Sequence, residues 1–127
     1  MSGIEGYDEA QRQIGHFHLC DFEMLRELHL RVAPSSGGPF DEEQCIELAM
    51  ASAHRKPNCL LRIRFTGVIG LSVKELGGGT IQITGFDVAD MTDSQWEDVY
   101  WEVLDFESGL IGFYARTAEI IGVEELS

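Results

Sequence analysis

Very little in this chain belongs to a secreted, membrane-spanning or nucleotide-using protein. Three cysteines in 127 residues, Cys20, Cys45 and Cys59, are odd in number and far apart. That argues against a disulfide framework and predicts reduced, buried thiols that serve as small core residues. No apolar run approaches the roughly twenty residues that a membrane-spanning helix needs. The start, Met1 to Gln13, is polar and acidic where a signal peptide would be basic and then apolar. The expectation is a cytoplasmic protein. Also missing are a P-loop, a dinucleotide glycine fingerprint after a strand, and a Gly-x-Ser-x-Gly elbow. Gly77-Gly78-Gly79 lacks the following Lys and helix that would hold phosphate. A nucleotide enzyme is not expected, and neither is a cofactor.

The scarcest commodity is positive charge in the second part of the chain. From Glu75 to Ser127 there are twelve acids against one base, Arg116, whereas residues 1–74 carry ten acids and eight bases. Most of the formal charge of -13 therefore lies beyond residue 74. A field this one-sided attracts a cationic partner, such as a basic protein, and repels nucleic acid and anionic membrane. It is not the field of a disordered acidic tail. The chain is 44% hydrophobic, with seven Phe, three Tyr and two Trp, so the acids are mounted on a fold. At this length one domain is expected, burying about two thirds of its unfolded surface.

The clearest periodicities are extended. Leu61, Ile63 and Phe65 alternate with Arg62 and Arg64, which predicts a half-buried strand from Cys59 to Thr66. Val68 to Val73 and Thr80 to Val88 continue the β character. A turn at Gly77-Gly78-Gly79 separates them, and Gly85 marks a candidate bulge. Val99 to Glu107 and Leu110 to Ile121 read as two long strands joined at Ser108-Gly109. Earlier, Met24, Leu28, Leu30 and Val32 fall on one side of a strand and Glu27, His29 and Arg31 on the other. Leu25 and Arg26 break that alternation, and Pro34 to Pro39 ends the strand as a loop.

Asp41 to His54 has two readings. Asp41, Glu42 and Glu43 suit a helix start, giving an α+β alternative with a helix at 41–54, while Ile46, Leu48 and Met50 alternate as a strand would. The neighbouring strands favour β. Residues 1–15 read as a loose arm or a short helix. Residues 16–127 then form a single, mainly β domain of five to seven antiparallel strands, closed as a sandwich or an open barrel.

Two clusters carry candidate chemistry. In an extended stretch His16, His18 and Cys20 would share a face, and imidazole with thiolate ligates zinc well. A structural site needs a fourth ligand, from His29 or His54, so half-buried, hydrogen-bonded histidines are the first reading of these residues and metal or a small ligand the alternative. Asp21 and Glu23 beside Cys20 would raise its pKa, the wrong direction for a nucleophile. The second cluster lies in the final hairpin. With a two-residue loop, Asp105 faces Gly112, Val103 faces Tyr114 and Trp101 faces Arg116. The opposite face, pairing Phe106 with Ile111, Leu104 with Phe113 and Glu102 with Ala115, is the more apolar and is expected to meet the core. That leaves Trp101, Tyr114 and Arg116 exposed beside Asp105 and Glu107, with a cation–π pair between Arg116 and Trp101. Together with Asp93, Trp96, Glu97, Asp98 and Glu102 these residues form a candidate contact surface for a basic partner. Asp105 and Glu107 also invite a glycosidase reading, but a chain this short rarely supplies a deep sugar cleft. No Asp-x-Asp-x-Asp-Gly loop for Ca²⁺ is present.

The segments Leu61-Arg62-Ile63-Arg64-Phe65-Thr66-Gly67-Val68, Gly85-Phe86-Asp87-Val88, Val103-Leu104-Asp105-Phe106-Glu107 and Ile111-Gly112-Phe113-Tyr114 resemble small uncharacterised bacterial β domains. Some of those are grouped with immunity proteins of polymorphic toxin systems. The likeness covers about half the chain, rests on strand alternation and a hairpin, and carries over no catalytic residues. It implies a non-enzymatic, acidic cytoplasmic protein that neutralises a basic toxin by covering its active site. The sequence alone leaves the oligomeric state open.

Overall fold

The computed structural model describes residues 4–34, 42–52, 58–74, 81–82, 86–90, 101–105 and 110–125. Over these the chain forms one short helix, α1 (Tyr7–Ile14), a 3₁₀ turn (Leu19–Asp21) and nine strands. The strands are β1 (Met24–Pro34), β2 (Glu42–Ala51), β3 (Cys59–Thr66), β4 (Ile69–Val73) and β5 (Ile81–Gln82). Then follow β6 (Phe86–Asp90), β7 (Trp101–Asp105), β8 (Ile111–Ala115) and β9 (Thr117–Glu125). They build a five-stranded sheet in the order β5-β1-β2-β3-β9 and a four-stranded sheet in the order β4-β8-β7-β6. All the strand pairings are antiparallel. The mainly β sandwich is as expected, with nine described strands in place of five to seven.

The excess has a physical origin. Two runs expected as single strands are divided between the two sheets. Leu110 to Ile121 breaks at Arg116 into β8 and β9, and Thr80 to Val88 divides between β5 in one sheet and β6 in the other. The chain likewise passes from β3 to β4 through Gly67, whose φ of 64° suits a residue without a side chain. The Arg116 amide donates to the Thr66 carbonyl at 2.9 Å, so the two bends lie side by side. Strands that switch sheets make the corner of such a sandwich. Within the segment read two ways, Glu42–Ala51 is strand: β2 pairs with β3 from Cys45↔Thr66 to Ala51↔Leu60. The turns expected at Gly77-Gly78-Gly79 and Ser108-Gly109, and the bulge at Gly85, lie outside the described residues.

The break in alternation at Leu25 and Arg26 is a β-bulge, where the β1–β2 register shifts between Leu25 and Glu27. It moves Met24 to the face of Glu27, opposite the one expected. Met24 there covers a small cluster of Ala49, Ala51 and Leu60. The main core lies between the sheets. Ile46, Leu48, Leu61, Ile63 and Phe65 come from the five-stranded sheet, and Val88, Val103, Ile111 and Phe113 from the four-stranded one. Phe65 and Phe113 meet edge to face across the gap, with centroids 5.0 Å apart. Burying each such aliphatic side chain is worth about 1.5–3 kcal/mol.

The N-terminal segment seals this core with aromatics. Tyr7 packs on Phe17 at 4.9 Å and Phe17 on Phe22 at 5.5 Å, and all three are buried. Helix α1 rests on β9. The Ile120 amide donates to the Glu5 carbonyl at 2.7 Å, and a Cβ on Gly6 would lie 2.3 Å from the Ile120 carbonyl oxygen. Glycine at position 6, with φ 85°, is what allows this approach.

Candidate functional site

The outer faces of the two sheets differ in kind. On the five-stranded sheet the polar positions of β1, β2, β3 and β9 interleave charges of both signs. Arg62 bridges Glu27 and Glu124, each at 3.0 Å, and Arg64 meets Glu47 at 2.9 Å. Glu27 also meets His29 at 3.0 Å. That hydrogen bond, followed by Arg62, holds the Glu27 carboxyl below its ordinary pKa. Arg62, between two carboxylates, has its pKa raised, chiefly by Glu124.

On the four-stranded sheet the strands contain Asp87, Asp90, Glu102 and Asp105 and no base at all. Lys74 follows β4 directly. Two of the acids expected to act together, Glu102 and Asp105, can be traced through this sheet, and Asp87, not expected there, joins them. Glu102 stands opposite Tyr114 in the β7–β8 register. Asp87 sits on the neighbouring strand opposite Leu104, on the same outward face. Asp105 ends β7 opposite Phe86. Ile69, 51% exposed, completes the face beside Tyr114, and the Tyr114 ring lies over Gly70, whose Cβ would be 3.6 Å from ring atom Cδ2. The Glu102 carboxylate, ahead of burial, pushes the Tyr114 phenol above its ordinary pKa and favours the protonated, hydrogen-bond-donating form. The face thus offers half-buried Tyr114 and Leu104 and exposed Ile69 between carboxylates.

Two of the aromatic and cationic residues expected here are elsewhere. The observed register pairs Trp101 with Ala115 and Val103 with Phe113, one residue away from the expected one. The slip turns the side chains of β7 over, while those of β8 keep the expected faces. Trp101, 9% exposed, therefore joins Val103 and Phe113 in the core. Arg116 leaves the hairpin altogether. At the corner its guanidinium donates to Glu43 at 2.7 Å across the other sheet's outer face, so the cation–π pair with Trp101 is replaced by an ion pair. Asp93, Trp96, Glu97, Asp98 and Glu107 lie outside the described residues.

His16, His18 and Cys20 are all exposed, so the histidines are not half-buried and Cys20, unlike Cys45 and Cys59, is not a buried thiol. The stretch is not extended through Cys20, because the 3₁₀ turn Leu19–Asp21 intervenes. The Asp21 carboxylate closes that turn by accepting the His18 amide at 2.9 Å. His16 and His18 stack edge to face at 4.9 Å, and Gln11 meets His16 Nδ1 at 3.0 Å. Among the described residues no group of three His, Cys, Asp or Glu has an arrangement that could hold a metal ion.

The feature that sequence reading missed is the sorting of charge by sheet. Its signal was present in four strand segments free of Lys, Arg and His, but only the strand order puts them side by side. No family model, curated protein or solved structure matches this chain.

Proposed function

We propose that this protein is a non-enzymatic binding module that covers a cationic surface of another protein with the outer face of its four-stranded sheet, in the manner of an immunity-type inhibitor of a basic toxin. The observation that carries this reading is the juxtaposition of Glu102 and Tyr114, flanked by Asp87, Leu104 and Ile69, on a sheet whose strands hold acids and no base. Carboxylates on strands that hold no base steer a basic partner and speed its association. A tyrosine with neighbouring aliphatics supplies the desolvated centre that affinity requires.

The test is capture of a basic protein from the native cell on the wild type and on an Asp87→Lys/Glu102→Lys variant, followed by rebinding of the purified partner. The reading expects a partner rich in Lys and Arg whose affinity falls at least about tenfold on charge reversal, and again between low and moderate salt. A partner held equally well by the reversed variant, or no basic partner at low salt, overturns it.

A further inference from the structure

Strand β4 carries a bulge beside Tyr114. Ile69 pairs with Tyr114 and Ser72 with Gly112, so Gly70 and Leu71 together stand against the single residue Phe113. Gly70 sits there at φ 67°, a conformation natural to glycine and rare for other residues. The bulge thus brings backbone, not a side chain, to the flank of the Tyr114 ring. A Cβ at position 70 would lie 3.6 Å from ring atom Cδ2 and 4.0 Å from Cε2, at ordinary van der Waals distance. Gly70 is exposed, so a group arriving from solvent can take up that contact. Across the β7–β8 pair Glu102 faces the same residue, and the Tyr114 hydroxyl donates to its carboxylate. Exposed Ile69, and Leu104, whose Cδ1 is 3.2 Å from where a Cβ on Gly112 would be, add aliphatic surface on either side.

This arrangement selects a kind of cation. A carboxylate offers about four lone-pair sites, and the phenol takes one of them, so Glu102 keeps room for a two-pronged donor. A guanidinium is flat and weakly hydrated. It lays its plane against an aromatic ring while its N–H fork reaches a carboxylate beside that ring. Facing side chains on neighbouring strands start about 4.5–5.5 Å apart at Cβ, close enough for one planar group to touch both. An ammonium is compact and strongly hydrated, and meets the carboxylate as a point charge that gains little from the ring. The methylene stem of an arginine would also cover Ile69 or Leu104. The four strands themselves supply no lysine or arginine to Glu102.

We infer, resting on the binding-module reading above, that Tyr114 and Glu102 beside Gly70 form an arginine subsite. The basic partner places an arginine there, its guanidinium stacked on the Tyr114 ring and forked onto the Glu102 carboxylate, so that this face tells arginine from lysine. A pair of synthetic peptides of equal charge tests it: a flexible Gly/Ser chain bearing arginines, and the same chain bearing lysines. Each is titrated at low salt into isotope-labelled protein and followed by amide NMR. The arginine peptide is expected to shift the amides of Gly70, Glu102 and Tyr114 and to bind at least about fivefold more tightly than the lysine peptide. Tyr114→Leu should abolish that preference by weakening the arginine peptide alone. Should Tyr114→Leu fail to fold, Glu102→Gln, nearly isosteric at an outward position, takes its place and should bring the ratio below about twofold. Equal binding of the two peptides at these amides overturns the arginine subsite and leaves the cationic-surface reading standing. Binding of neither peptide at this face overturns both. A preference that survives in the variants belongs to another part of the molecule and also overturns the subsite.

Discussion

Tyr7 ties the helix to the core with a single hydroxyl. Its ring is buried against Phe17, and its OH donates to the Phe17 carbonyl. Burial chiefly, with Asp21 and Asp8 adding negative potential, raises the phenol above its reference pKa of 10.0. The unfolded chain therefore releases this proton first as pH rises. The stability linked to protonated Tyr7 is whole below about pH 10 and is lost on the way up to the folded value. Tyr7→Phe should cost about 1–3 kcal/mol at neutral pH, because it strands a buried carbonyl, and should lessen the further loss under alkali. Tyr114, raised for a different reason, keeps some of that loss in place. Urea denaturation at about pH 8 and about pH 10.5 separates the two effects. An alkaline loss as large in the variant as in the wild type would assign it to other groups.

The corner where β3 turns into β4 and β8 into β9 is the element on which the architecture depends. A Cβ on Gly67 would sit 2.8 Å from Arg116 Cβ, in a backbone conformation that side chains rarely take. Gly67→Ala should accordingly cost about 1–3 kcal/mol, readable as a lower urea midpoint. An unchanged midpoint would mean that the corner yields at no cost. This corner also marks the limit of what the sequence discloses. β3 is legible to the residue, since Leu61, Ile63 and Phe65 alternate cleanly with arginines, and the interruption at Leu25-Arg26 is the bulge. The change of sheet at Arg116 is a flip of phase, from Ile111, Phe113 and Ala115 inward to Ala118 and Ile120 inward, and the alanines on either side carry too little hydropathy to mark it. The final hairpin misleads for another reason. Trp101 and Val103 on one side and Leu104 and Phe106 on the other are all apolar, so an assumed two-residue loop that sets Leu104 against Phe113 makes the wrong face of the first strand look the more apolar. Tyr114 is legible as an outward residue because β8 keeps the expected faces, whereas Glu102, expected opposite Ala115 on the inward face, stands opposite Tyr114 on the outer one. Trp101 and Arg116 depend on register and corner, which are tertiary facts.

At the scale of the molecule, charge is sorted between two faces: interleaved on one sheet, uniformly negative in the strands of the other. Surface ion pairs such as those of Arg62 and Arg64 are worth little individually, about 0–1 kcal/mol. Repulsion within a chain of charge -13 should therefore dominate the response to salt. Raising NaCl from about 0.02 M to about 0.3 M, which shortens the screening length to below about 10 Å, should raise the thermal midpoint. Glu102→Lys should raise it at low salt and blunt the rise, whereas Arg64→Glu should lower it. A wild-type midpoint that falls with added salt would reverse the balance, placing the ion pairs above the repulsion.

The pairing of β3 with β9 sets a condition on biosynthesis. Cys59 finds its partner in Glu125, and Thr66 in Thr117. A ribosome that has delivered β1, β2 and β3 has still to make more than fifty residues before that edge is closed. Through that interval Ile63 and Phe65 lack the neighbours that β8 and β9 supply, so the nascent chain carries an open, adhesive flank. Folding is then completed late, once β9 has been made and can close the flank of β3.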